Sequence, residues 1–520
     1  MRSVKNMTLE QKIGHLIIVR GFLDEKDKAF FFKMLDDGAV GGLQVRYYDG
    51  CERDIAEIKK RAGYPLFICA DMENGFPGSK LKIPSQMAIA QTGDSSFAYE
   101  LAKITAIEAK NAGYNVVWGP VVDIASEGML CKIPRCFGDS VEVVSDFGAE
   151  MVRAYQEQGM VCTAKHYPGG SDVLADQHIE PGVSGFSRDE LLRKDIKPYI
   201  EIAKKIGLTG IMTAHTYFDK IDPENMASMS KAVIDIIREE GFEGVIMSDS
   251  LAMMAVIQKY GEKECLAQAI AAGNDMVLPN YRLSFEDSFN ALKKAYDDGI
   301  ITDERLDSAV ERVLKAQEKT EKGPTVNELS EYQKNIVEEL NKKSLCAVVD
   351  EAISLALGKD TKKLFVLLCQ NEYPGINMAS MELDSHTWYY KENVEKTRNK
   401  ILEIFPDADV IIINEFPHHS EIEKVCVAIS KADDVIFRTF CIASSYVASD
   451  GISERIEYLI KANKDKISAI IHMGNPYELK KFSYVKRLLL GQNGGNSDIY
   501  AIKALKGEFT PTGKLPVCID

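Results

Sequence analysis

From residue 15 to 280 the chain alternates short apolar runs, rich in β-branched residues, with longer stretches whose apolar positions recur at helical spacing. Parallel strands buried on both faces require runs of that kind, and the intervening segments supply their crossover helices. Eight runs stand out, at 16–19, 40–45, 66–70, 115–118, 161–164, 208–213, 244–248 and 275–278. The spacing predicts helices over 96–112, 140–158, 230–240 and 263–272, with glycine at or near several C-terminal ends, where it stops a helix at little steric cost. A long doubly wound sheet would show the same local period, but eight strands with their helices in roughly 300 residues favour a (β/α)8 barrel of the TIM type.

Residues 303–343 are densely charged and carry Gly323–Pro324, so the last barrel helix is expected over 303–319 and a linker after it. Further runs at 364–368, 410–413, 435–437, 469–472 and 485–490, separated by helical stretches such as 394–404 and 421–431, predict a smaller three-layer α/β sandwich. The expected division is therefore a catalytic barrel over 1–320, a linker over 321–345 and a sandwich over 346–520.

Composition narrows the function classes. A 520-residue chain with 45% hydrophobic and 27% charged residues has ample material for buried cores. Its net charge of −15 argues against non-specific attachment to nucleic acid or anionic membrane, so the expected partner is a small or uncharged molecule. The eleven cysteines are odd in number and form no CxxC pair, which fits reduced thiols in the cytoplasm. The first apolar run, 16–19, is too short for a signal-peptide core, and no stretch approaches the roughly 20 apolar residues of a bilayer span. Oligomeric state leaves no mark on the sequence.

In a parallel barrel the active site lies at the carboxyl ends of the strands. One or two residues beyond each run stand Arg46, Asp71, Lys165 with His166, His215, Asp249 and Pro279. Taken alone, Asp249 could merely cap the following helix. The long loop 165–181, KHYPGGSDVLADQHIEP, is Gly-rich with little apolar periodicity. In an extended loop Asp176 and His178 leave the same face, where the carboxylate could orient the imidazole and make a proton donor and acceptor near neutral pH. A solvated loop histidine, or a metal site drawn from His166, Asp172, Asp176 and His178, would use the same residues; no recognised ligand spacing supports the metal. GEFTPTGKL at 507–515 is not a P-loop, because five residues separate Gly507 from Gly513 and Leu515 follows the lysine. The run 491–496 reads as a turn, and His418–His419 as a solvated helix start.

With these pieces assembled, the chain resembles glycoside hydrolase family 3, and within it the β-N-acetylglucosaminidase branch. The similarity runs from MTLEQKIGHLIIV at 7–19 to PTGKLPV at 511–517. It is carried by ADMENG at 70–75, GPVVDI at 119–124, PRCFGD at 134–139, KHYPGG at 165–170, DQH at 176–178, MTAH at 212–215, GFEGVIMSDSLAM at 241–253 and AGNDMVLP at 272–279. The resemblance implies the barrel followed by the sandwich, Asp249 as catalytic nucleophile, and His178 oriented by Asp176 as general acid/base. It further implies that Asp71, Arg135, Lys165 and His166 bind sugar hydroxyls and that His215 lines the same pocket. The chain departs from the branch at Phe76 to Lys80, at Gly170–Ser171, at Gln177 and at Ser250, which follows the nucleophile where the branch carries Asp.

The resemblance thus implies an exo-acting retaining β-glycosidase that removes terminal β-N-acetylglucosamine from an oligosaccharide or cell-wall fragment, with no metal or organic cofactor. Three alternatives share those residues: a β-glucoside or β-N-acetylglucosaminide phosphorylase, a β-glucosidase or β-xylosidase, and a sugar-binding barrel without turnover.

Overall fold

The computed structural model describes residues 2–81, 83–129, 133–175, 178–321, 323, 328–350, 352–370, 389–441, 451–492 and 496–519. The chain forms two compact units. The first, built from residues 1–81, 98–129 and 139–333, holds an eight-stranded parallel sheet. Its strands are β1 (Ile18–Val19), β2 (Gly42–Gln44), β3 (Phe67–Asp71), β4 (Val116–Val121), β5 (Val161–Tyr167), β6 (Gly210–Thr213), β7 (Val245–Ser250) and β8 (Met276–Leu278). Each falls on one of the eight predicted runs, in sequential order around the sheet. The ring closes where Ile17 bridges Val277 and the Val277 N–H donates to the Leu16 carbonyl at 2.8 Å. The fold is a TIM-type barrel.

Alternate residues of a strand face alternate sides, so every second one points along the same row. One such set packs as the barrel interior: Ile18, Phe67, Cys69, Val116, Trp118, Val161, Met212, Val245, Met247, Met276 and Leu278. Val313 and Ala316, from the helix Asp303–Lys319, belong to the same cluster, and that helix packs against β5 and β7. Extending the interior rows by two residues gives Arg20 just past β1, Asp71 on β3 and Asp249 on β7, while Lys165 continues the row that starts at Val161 on β5. A small sheet built from Gly182–Ser184, Thr216–Phe218 and Asp222–Met226 was not foreseen.

The second unit comprises residues 334–520 together with 82–97 and 130–138. It is the α/β sandwich, with β9 (Cys346–Val349), β10 (Lys363–Cys369), β11 (Asp409–Asn414), β12 (Asp434–Cys441), β13 (Ile467–Gly474) and β14 (Arg487–Gly491) in the order β9-β14-β13-β12-β10-β11. All pairings are parallel except β9 with β14. The Lys514 N–H donates to the Gln91 carbonyl at 2.8 Å, tying the inserted segment to the C-terminal tail. Two expectations need correcting. The second unit is not one continuous stretch of chain, and the segment 321–345 holds a helix, Glu331–Lys343, where a linker was expected. Burial of Ile336 and Leu340 explains the helix: its charges occupy one side and its apolar residues reach the core. No helix among the described residues is long and apolar enough to cross a membrane.

Candidate active site

The site is assembled at the carboxyl ends of the barrel strands from side chains that continue the interior rows. Lys165 is 3% exposed, and an ammonium so buried needs partners. Asp71 Oδ1 and Glu73 Oε1 are among them, each at 2.6 Å. The register pairs Asp71 with Trp118 and Trp118 with Thr163, so Lys165 stands one two-residue step further along β5 than Asp71 does along β3.

His166 is held by a carboxylate from the end of β4. Asp123, itself 1% exposed, receives the His166 backbone N–H on Oδ1 at 3.2 Å and faces Nδ1 with Oδ2 at 2.8 Å. With Nδ1 so engaged, Nε2 is directed to Asp249 Oδ2, 3.9 Å away. Asp249 lies on β7 with its carboxylate 17% exposed. Burial by itself would raise the Asp249 pKa, but the neighbouring His166, His215 and Lys165 side chains, with the Ser250 N–H, override it and hold the carboxyl at about 2. The group is therefore an anion throughout the physiological range, and it remains partly open to a ligand.

His215 is fully buried beside it. Its Nδ1 accepts from the Ser228 hydroxyl at 2.7 Å, which leaves Nε2–H to donate to the Ser250 carbonyl at 3.1 Å. Burial lowers its pKa against the attraction of Asp249, and the charges of His178 and His166 lower it further. The neutral tautomer fits both bonds. His178 is half-buried, and its carbonyl accepts the Met254 N–H at 3.4 Å, so the loop after β5 reaches the turn that follows Asp249. Ser126 fastens the base of that loop by donating to the Ser171 carbonyl.

Asp71, Lys165, His166, His215 and Asp249 thus meet at one rim, with the His178 loop laid against it. Asp176 lies outside the described residues. Arg135 stands on the 3-10 turn Ile133–Arg135, in a segment that groups with the second unit. Sequence reasoning missed Arg20, which obeys the same rim rule one residue past the first run. It also gave no role to Glu73 and Asp123, although both lie inside quoted motifs. Arg46, expected at the rim, is exposed at the end of β2.

Chemically the arrangement offers a permanently ionised carboxylate open to a ligand, a buried cation between two acids, and imidazoles around them. Comparison with known proteins gives the family and the fold. The family model described as the glycosyl hydrolase family 3 N terminal domain matches residues 8–316. A β-N-acetylglucosaminidase/β-glucosidase of Cellulomonas fimi is 28% identical over 338 residues, covering 60% of this chain and 58% of that protein. A β-hexosaminidase of Nitrosomonas eutropha is 32% identical over 235 residues, covering 43% of this chain and 67% of that one. Among solved structures, a family 3 β-N-acetylglucosaminidase from Paenibacillus sp. str. FPU-7 shares the fold with a TM-score of 0.82, at 24% identity over 99% of both chains.

Proposed function

The chain belongs to glycosyl hydrolase family 3, and from that premise we propose that it is an exo-acting retaining β-glycoside hydrolase whose first substrate class is terminal β-N-acetylhexosaminides. The observation that carries the mechanism is the carboxylate of Asp249, ionised down to about pH 2 yet open at the rim of the barrel. A retaining glycosidase needs such a group to attack the anomeric carbon and form a glycosyl-enzyme. On the resemblance of ADMENG and KHYPGG, Asp71, Lys165 and His166 are assigned to the sugar hydroxyls, and all three stand at the same rim as Asp249.

In this reading His178, oriented by Asp176, protonates the departing oxygen and later takes a proton from the incoming water. Arg135 is assigned to the sugar on the resemblance of PRCFGD alone. The acetamido preference rests on the β-hexosaminidases among the relatives, and the chain matches only part of their length. A second reading, phosphorolysis, is favoured by one feature: an imidazole acid/base does not repel an incoming phosphate as a glutamate would.

Leaving-group dependence tests the assignment. Asp249→Ala should lower turnover of every aryl β-glycoside by about four orders of magnitude. His178→Ala should spare 2,4-dinitrophenyl glycosides and cripple those with poor leaving groups. Equal losses on both would overturn the acid role. Running the same assays with and without phosphate, and looking for sugar 1-phosphate, separates hydrolysis from phosphorolysis, while aryl glycosides differing only at C2 identify the sugar.

A further inference from the structure

Asp249 sits where the sheet stops supporting it. β7 pairs with β6 only as far as Ser248–Thr213, and on its other side the register slips between Met247–Met276 and Ser250–Leu278, where three residues on β7 span two on β8. A bulge of this kind re-aims a side chain but leaves the backbone without its regular ladder. On the β6 side of β7, something other than the sheet must fix residues 249 and 250.

Ser250 is where the fixing occurs. Its N–H donates to Asp249 Oδ1 at 2.6 Å, its carbonyl accepts from His215 Nε2 at 3.1 Å, and its hydroxyl accepts from Arg20 Nη1 at 2.5 Å. Arg20 is anchored in turn: Nε donates to Gln44 Oε1 at 2.8 Å, Nη1 also reaches the Pro279 carbonyl at 3.3 Å, and its guanidinium carbon lies 5.8 Å from the centre of the Tyr281 ring. One planar, always charged group therefore joins the ends of β1, β2, β7 and β8, across the seam where the ring closes through a single bridge. We propose that Arg20 is a positioning residue for Asp249, acting through the Ser250 hydroxyl to hold the carboxylate in its attacking orientation.

The inference rests on Asp249 being the nucleophile, and the test separates the two claims. A 5-fluoro β-glycosyl fluoride of the sugar that the C2 panel identifies should label Asp249 in the unmodified chain, as read by peptide mass spectrometry. A turning-over enzyme labelled elsewhere would overturn the nucleophile assignment, and this inference with it. Given the label, Arg20→Met should slow its formation about 10- to 100-fold, the range a misplaced reacting group produces. Labelling should still reach one per chain, with unchanged affinity for the free sugar as competitive inhibitor. Arg20→Lys should recover part of the rate. A purely structural role would lower the fraction of chains labelled without changing the rate per labelled site, and that result would overturn the proposal, as would a wild-type rate. Ser250→Ala, which leaves the bonds to Gln44 and Pro279 in place, should be slowed similarly. The double variant should be no slower than the slower single, whereas multiplied losses would show that Arg20 does not act through Ser250. Where Arg20→Met does not fold, Ser250→Ala decides alone: a wild-type labelling rate refutes the link.

Discussion

Lys165 sets the charge balance of the rim. It is nearly enclosed, it faces two carboxylates at 2.6 Å, and its charge is among the influences that keep Asp249 ionised. Replacing it by Met takes from Asp71 and Glu73 the cation they share, which destabilises the rim, less at the part-exposed Asp71 than at the more buried Glu73. The same change raises the Asp249 pKa from about 2, so a higher pH is needed to ionise the group. Lys165→Met is expected to lower kcat/KM about 100-fold and to move the acid limb of its pH profile upward, with Lys165→Arg intermediate. The residues that could be read from the sequence were those standing in motifs at strand ends. Arg20 stood in no motif, and its partners Gln44, Ser250 and Pro279 come from elements far apart in the chain. Asp123 and Glu73 had the motif but not the partner: that they serve His166 and Lys165 follows only from the contacts the folded barrel makes between neighbouring strand ends.

At the level of elements, the eight barrel strands were legible because parallel strands buried on both faces need unbroken apolar runs. The small sheet was not. Gly182–Ser184, Thr216–Phe218 and Asp222–Met226 are short, partly exposed and carry polar residues, so neither a run nor an alternation marks them. Close packing between elements was equally silent. The helix Leu9–His15 approaches the chain before β2 so closely that a Cβ on Gly14 would lie 1.8 Å from the Ala39 carbonyl oxygen, while the Gly41 N–H holds the Gly14 carbonyl at 3.0 Å. Gly14→Ala should therefore cost about 3 kcal/mol or more. Gly63→Ala, at φ +66° with open space around its Cβ, should cost only about 1 kcal/mol. Urea midpoints of the two variants check the contrast.

On the scale of the whole molecule, both units bury neutral histidines, His15 and His215 in the first and His472 in the second, and acid acts on each. Burial lowers the pKa of His15 in the first unit to about 4 and of His472 in the second to about 3. Unfolding restores a pKa near 6.5, so the unfolded chain binds the extra proton and the stabilisation, complete above that pH, drains away as pH falls. By pH 5 His15 and His472 have each given up about 2 kcal/mol. The first unit has an opposing group. Burial raises Asp195 to about 6, above its unfolded 3.8, so acidification to pH 5 returns about 1 kcal/mol there. Calorimetric transitions recorded at pH 7 and pH 5 should show the second unit losing stability, and His472→Gln should flatten its slope. Such linkage is invisible in sequence, because a histidine's burial is a property of the finished core. The helix Asp303–Lys319, whose Val313 and Ala316 fill one end of the barrel interior, has a consequence of its own. The stave ring is a cup rather than a tube, with a single mouth for all traffic. On the proposed chemistry the aglycone must depart by the way it came before the deglycosylating molecule can enter. Any alcohol waiting at that mouth then competes with water for the glycosyl group.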